Sequence, residues 1–292
     1  MLRTRLIVGT VLAALTAGML LLDERYAPWF PFLLATVLLL SLFGTVELVE
    51  LLPPTKRPNR VLTLAGVILV VALNWAPIVR MGQLKWHLAQ PAQAWWFVAQ
   101  GFAAVVLLAF LVEMAQFRAP GGAVERIALA VWVVAYLGLL PSFLLQLRLG
   151  ELATVDDELR RGTVNLALAI FVPKGCDIGA YFTGRLIGRH RMTPVLSPKK
   201  TWEGAAGGLT LAVAVAFGLN GLGPVIPGGA AGTVAFGLSV GLAGMLGDLA
   251  ESLIKRDCER KDASQVVPGF GGILDVVDAI LFAAPVVYWW LA

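Results

Sequence analysis

Charge is scarce in this chain. Only 14% of its 292 residues are Asp, Glu, Lys or Arg and 58% are hydrophobic, whereas soluble domains carry roughly 25% charged residues. With a mean hydropathy of +0.80, that excludes an ordinary soluble domain. Cysteine is nearly missing too. Cys176 and Cys258 stand alone without CxxC spacing, which argues against a disulfide framework or a thiolate metal site. The histidines, His87 and His190, sit in loops without partners at metal-ligand spacing. No basic face is present: the net charge of +4 is spread over loops, so nucleic acid is not expected as a partner. Internal repeats are also absent.

What the chain has instead is long apolar runs. Segments near 5–22, 28–52, 61–79, 94–112, 124–147, 163–184, 203–222, 229–250 and 271–291 are each long enough to cross a bilayer. The expected fold is all-α, a polytopic integral membrane protein with about nine transmembrane helices. Gly and charge interrupt 163–184 and 229–250, which marks both as candidates for broken or re-entrant helices. The first run follows Arg3 and Arg5 and is followed by Asp23, Glu24 and Arg25 without a small-x-small cleavage site, so it reads as a retained helix. Placing the N-terminus inside puts most Lys and Arg on the inner side, including those of loops 185–202 and 251–270. Residues 1–150 form helices with few intramembrane charges and read as a scaffold. Residues 163–292 hold the unusual polar groups and read as a catalytic region, after a polar connector at 151–162.

Asp248, Asp275 and Asp278 lie at or inside apolar segments, where a charged side chain costs roughly 2.5–3.5 kcal/mol. Three such carboxylates require cations. Asp275 and Asp278 are three residues apart on one helix face, and Asp248 comes from the end of the preceding helix, an arrangement suited to a hard cation such as Mg²⁺. Between them lie Lys255, Arg256, Lys261 and Asp262; the cations can neutralise a transferring phosphoryl group, with Asp262 orienting Lys261. Gly271 and Gly272 let backbone approach a ligand closely. On the sixth run, Asp177, Tyr181 and Arg185 recur every four residues with Lys174 on the same face, a polar wall for a headgroup cavity or a self-neutralising Lys174–Asp177 pair. Residues 189–204 hold Ser197-Pro198, which stops regular structure, then Lys199, Lys200 and a helix start at Thr201 to Glu203. That segment is an anion cradle or a basic anchor for anionic lipid. Glu47, Glu50 and Glu113 lie near helix ends and are expected to reach water.

These residues resemble the phosphatidate cytidylyltransferase (CDP-diglyceride synthetase) family. Its signature is matched by Ser252, Ile254, Lys255, Arg256, Lys261, Asp262, Gly271, Gly272, Asp275 and Asp278 at the required spacing. The Ser-Pro-Lys-Lys-Thr-Trp-Glu-Gly motif stands whole at 197–204, and an Asp-x-x-Ala-Tyr-x-x-Gly-Arg element is formed by Asp177, Ala180, Tyr181, Gly184 and Arg185. Phe270 stands where the signature has His, and Val276 where it has Arg. The motifs cover about 170–292; the first half is similar only in being helical.

The resemblance implies transfer of CMP from CTP to phosphatidate, giving CDP-diacylglycerol and pyrophosphate in phospholipid biosynthesis. It implies Lys255, Arg256, Lys261, Asp262 and Asp177 as catalytic residues. Ser197, Lys199, Lys200, Thr201, Glu203, Tyr181, Arg185, Ser252, Gly271 and Gly272 are expected to bind substrate, and Asp248, Asp275 and Asp278 to hold Mg²⁺, a second cation being left open. CTP, phosphatidate and the lipid bilayer are the implied partners; a homodimer is left open. The expected location is a bacterial cytoplasmic membrane, the site facing the cytoplasm. Two alternatives stand beside this reading, a CTP-dependent polyprenol or lipid-alcohol kinase and an ion-coupled transporter. The latter is disfavoured because the polar residues crowd into one half of the chain. A CDP-alcohol phosphotransferase is set aside because no D-x-x-D-G-x-x-A-R run occurs.

Overall fold

The computed structural model describes residues 2–81, 91–149, 157–264, 266–267 and 271–291. Among the described residues eleven α-helices follow in chain order: α1 (Leu2–Asp23), α2 (Pro31–Leu51), α3 (Arg60–Ala72), α4 (Ala76–Met81), α5 (Pro91–Gln116), α6 (Ala123–Val134), α7 (Leu140–Leu149), α8 (Asp157–Ile187), α9 (Trp202–Asn220), α10 (Gly229–Asp257) and α11 (Ile273–Leu291). Between α8 and α9 lies a two-stranded antiparallel hairpin, β1 (Arg191–Thr193) and β2 (Ser197–Thr201). Among the described residues, nine spans are long and apolar enough to cross a membrane, with α3–α4 and α6–α7 each making one. The chain is thus an all-α integral membrane protein. Large apolar side chains such as Leu15, Leu107 and Val61 remain exposed because lipid, not water, meets them.

The breaks fall elsewhere than composition suggests. Both Gly-bearing spans, α8 and α10, are continuous helices. Breaks occur at Leu73–Trp75, a 3₁₀ turn, and at Ala135–Leu139, a π turn. Pro141 lacks an N–H and crowds the preceding turn, which favours widening there. Asn74 and Gln146 close this region with buried hydrogen bonds: Asn74 Nδ2 donates to Ser142 Oγ (2.9 Å) and Gln146 Nε2 donates to Asn74 Oδ1 (2.6 Å). Trp75 is likewise buried, donating to the Trp29 carbonyl at 2.7 Å.

The small residues of the C-terminal helices serve packing. A Cβ on Gly208 of α9 would lie 2.7 Å from the Cys176 carbonyl of α8, so these two backbones touch. A Cβ on Gly247 of α10 would strike the Asp278 carbonyl of α11. Helices meeting in lipid gain by such close backbone approach, since apolar surface alone does not favour helix over lipid. Together α8, α9, α10 and α11 form a tight group, and α11 also rests on α2 and α7.

Candidate active site

Each polar residue is brought inward by a specific element. Thr201, the last residue of β2, caps α9 by accepting a hydrogen bond from Gly204 N at 3.1 Å. The segment 197–201 is therefore a strand, not an irregular stop, pairing Thr193 with Ser197 and Arg191 with Thr201. That pairing points Lys200 at α10, where its Nζ lies 2.8 Å from Asp248 Oδ2. On α8 the four-residue spacing does put Asp177, Tyr181 and Arg185 on one wall. With Lys199, Lys200, Thr201 and Asp248 they line a cavity of about 400 Å³. An Arg185 guanidinium N–H donates to the Tyr181 hydroxyl at 3.1 Å.

Beside that cavity lies a chain of ion pairs. Lys174 meets both Asp177 (3.4 Å) and Asp278 (3.2 Å), joining α8 to α11. The self-neutralising pair is real but shared. Lys255, nearly buried, contacts Glu251 and Asp275 at 2.5 Å each, joining α10 to α11. Carboxylate oxygens of Asp248, Glu251 and Asp278 lie within 4.8 Å of one another, a spacing that a single cation can bridge. Glu251 is 2% exposed, and its Oε1 has no hydrogen-bond partner. A buried acceptor left unpaired is costly and points to a missing donor or ion.

Sequence reasoning passed over Glu251, although its spacing was the available signal. It stands three residues after Asp248 and four before Lys255, hence on their face of the helix. Asp275 is placed differently from the expected trio. Its Oδ2 accepts from Gly272 N (2.7 Å) and its Oδ1 from Lys255, so it caps α11, and the group within 4.8 Å does not include it. Asp248 is also not at a helix end, because α10 continues to Asp257.

The remaining predicted residues lie outside the cavity wall. Glu203 accepts from Arg189 N (3.1 Å) and His190 N (3.2 Å) and meets His190 Nδ1 at 2.5 Å, so it braces the loop before β1 and gives His190 a partner. Arg256 is exposed and reaches the carbonyls of Leu196 and Arg260 at 3.4 Å. Lys261 and Asp262 are exposed, and no ion pair joins them among the described residues. Ser197 accepts through its carbonyl from Thr193 Oγ1 at 3.4 Å, and Ser252 is half-buried. Val276 is half-buried, while Phe270 and His87 lie outside the described residues. Gly271 adopts φ +117°, a conformation natural to glycine, and a Cβ there would lie 2.6 Å from Asp275 Oδ2.

Two acidic residues expected at water are buried. Glu113 takes a two-pronged contact from Arg126, closest at 2.7 Å. Glu47, 7% exposed, accepts from Ser264 Oγ (2.6 Å), Ile273 N (2.9 Å) and Leu274 N (3.0 Å). Glu50 alone of the three is exposed.

The chain is similar to several known proteins. The chain is 29% identical over 263 residues to the phosphatidate cytidylyltransferase of Bacillus subtilis (strain 168), covering 87% of this chain and 88% of that protein. It is 40% identical over 127 residues to that of Brucella suis biovar 1 (strain 1330), covering 44% and 46% of the two chains. It is 36% identical over 178 residues to that of Synechocystis sp., covering 53% and 59%. Matches to the latter two therefore span about half of each relative. The family model for the cytidylyltransferases runs over residues 3–292, taking in the N-terminal helices that the motifs leave out. The chain belongs to the cytidylyltransferase family.

Proposed function

We propose that this chain is a phosphatidate cytidylyltransferase, an integral membrane nucleotidyltransferase that moves CMP from CTP to phosphatidate and releases pyrophosphate. The observation that carries the reading is the trio of carboxylates Asp248, Glu251 and Asp278 beside a cavity bearing Lys199, Lys200 and Arg185. The relatives bearing that name lend it support.

A divalent cation fits the donor set. Among the described residues, Asp177, Asp248, Glu251, Asp275 and Asp278 pair with Lys174, Lys200 and Lys255 or cluster beside them, five carboxyl groups against three ammonium groups. Hard oxygen donors suit Mg²⁺, and Glu251 Oε1 lacks a partner. Asp248, Glu251 and Asp278 would hold it, with Asp275 tied to Glu251 through the Lys255 ammonium they share. Bound there, Mg²⁺ supplies charge neutralisation and alignment of the triphosphate.

The residues themselves bind and orient. Lys199, Lys200 and Arg185 offset phosphate charge, and Tyr181, which lines the cavity and is 41% exposed, offers the acyl-bearing substrate an approach. A phosphate oxygen of phosphatidate attacks the α-phosphorus of CTP in line. The new P–O bond forms as the bond to the β-phosphate bridging oxygen breaks, and pyrophosphate departs. No protein nucleophile is needed; positioning and charge neutralisation lower the barrier. Lys and Arg are dense in the hairpin and at the end of α10, which supports reading that end of the bundle as the cytoplasmic one, in a bacterial inner membrane.

Purified protein supplied with CTP, Mg²⁺ and phosphatidate is expected to yield pyrophosphate and a CDP-lipid. A phosphorylated alcohol with CDP would instead mark a kinase. Asp278→Asn is expected to lower the rate by about 100-fold or more, in line with losing one electrostatic group at a phosphoryl-transfer site; full rate in that variant removes its metal role.

A further inference from the structure

Glu47 belongs to the half of the chain read as scaffold, yet its carboxylate meets the helix that carries Asp275 and Asp278. The first amides of any helix lack intrahelical partners and carry partial positive charge. In α11 these are satisfied by two carboxylates: Asp275 takes Gly272 N, and Glu47 takes Ile273 N and Leu274 N from 226 and 227 residues away. Glu47 also accepts from Ser264 Oγ, tying the loop after α10 to the same point. The neighbourhood is shaped for this contact. A Cβ on Gly272 would lie 2.6 Å from Glu47 Oε2, so only glycine leaves room for the carboxylate. One turn earlier on α2, Gly44 admits Leu274, with a would-be Cβ at 3.3 Å.

The position of α11 along its axis decides whether Asp278 lies near Asp248 and Glu251. We propose that Glu47 is a positioning residue of the cytidylyl-transfer site: from α2 it holds the first turn of α11 and thereby fixes Asp278 against the α10 carboxylates. This rests on the functional reading above. Glu47 touches neither the cavity nor the trio, so it acts through α11. It also explains the paired signature glycines without a ligand, since Gly271 supplies the turn and Gly272 the space.

The test is Mn²⁺ binding, followed by electron paramagnetic resonance, to the full-length detergent-solubilised protein. Glu47→Gln puts an amide N–H₂ against a helix N–H and loses at least one bond. Substitutions supporting metal ligands typically cost 10–100-fold in affinity, so Mn²⁺ binding is expected to weaken by about 10-fold. The Mg²⁺ concentration for half-maximal rate should rise in step, with the KM for phosphatidate unchanged. Folded Glu47→Gln with wild-type Mn²⁺ affinity overturns the proposal, because a purely structural role lowers thermal stability alone. Should that variant not accumulate, Ser264→Ala removes one donor to Glu47 and is expected to weaken Mn²⁺ binding in the same direction by a smaller factor; wild-type affinity there overturns it equally. Wild-type protein that binds Mn²⁺ but makes no CDP-lipid defeats the functional reading and leaves the Glu47 comparison intact.

Discussion

Lys255 is the most exacting place to perturb this site. Its ammonium lies 2.5 Å from both Glu251 and Asp275, with 10% of its side chain exposed. Lys255→Met keeps the volume and removes the charge, leaving two carboxylates facing each other near Asp278. Truncating one partner of a buried ion pair costs about 3–5 kcal/mol, chiefly because the remaining charge stays buried and uncompensated. That range is the expected loss in unfolding free energy, read by reversible SDS titration in mixed micelles with chelator present. Glu251→Gln alone removes one of two carboxylates from a lysine that keeps Asp275, so its cost is about 1 kcal/mol, that of a hydrogen bond. The double variant relieves the repulsion that makes Lys255→Met expensive. It is expected to be more stable than the sum of the single losses by well over the 0.5 kcal/mol or so within which independent sites add. Simple additivity, or a Lys255→Met loss below about 1 kcal/mol, would refute the claim that this lysine neutralises two buried carboxylates. Activity is a separate readout and should stay low in the double variant, since the charge opposite Asp275 is still missing.

Two further substitutions test other parts of the assembly. Gly247→Val drives a branched side chain into the Asp278 carbonyl, and little monodisperse protein is expected by size-exclusion chromatography. Thr201→Ala removes the cap of α9 and should cost about 1 kcal/mol of stability in the same titration; it is also expected to raise the KM for CTP more than that for phosphatidate, because Thr201 holds Lys200 and the strand on the cavity wall.

What could be read from the chain was whatever depends on short-range periodicity. Asp177, Tyr181 and Arg185 were legible as one wall because a helix repeats every 3.6 residues and nothing later in folding alters that. Glu251 was equally legible by spacing, since it shares a helix face with Asp248 and Lys255. Glu47 was not legible. Its immediate surroundings differ little from those of Glu50, three residues on, and what separates a buried cap from an exposed side chain is a helix end more than 220 residues away. Glycine misled in the other direction. In α8 and α10 it suggested broken helices, but its use is close contact with α9 and α11, which needs an unbroken helix on both sides. The actual breaks, at Asn74 and before Pro141, are stabilised by Asn74, Ser142 and Gln146 across two spans, partners that no local window contains.

The division into an N-terminal scaffold and a C-terminal catalytic region is best taken as one of chemistry and not of folding. Every group that faces the cavity comes from residues after 170, consistent with separate roles. Yet the ion pairs that build the site are also the ties between its elements: Lys174 links α8 to α11, Lys200 links β2 to α10, and Lys255 links α10 to α11. The first and the last depend directly on where α11 sits. That helix is held by the first half at both ends, by Glu47 at its start and by Trp95, whose indole donates to the Tyr288 hydroxyl at 2.8 Å, near its finish. Removing residues 1–150 would leave the Ile273 and Leu274 amides without acceptors and the Tyr288 hydroxyl without its donor. A fragment beginning at 163 would therefore contain every carboxylate of the site while lacking the contacts that bring them to one point.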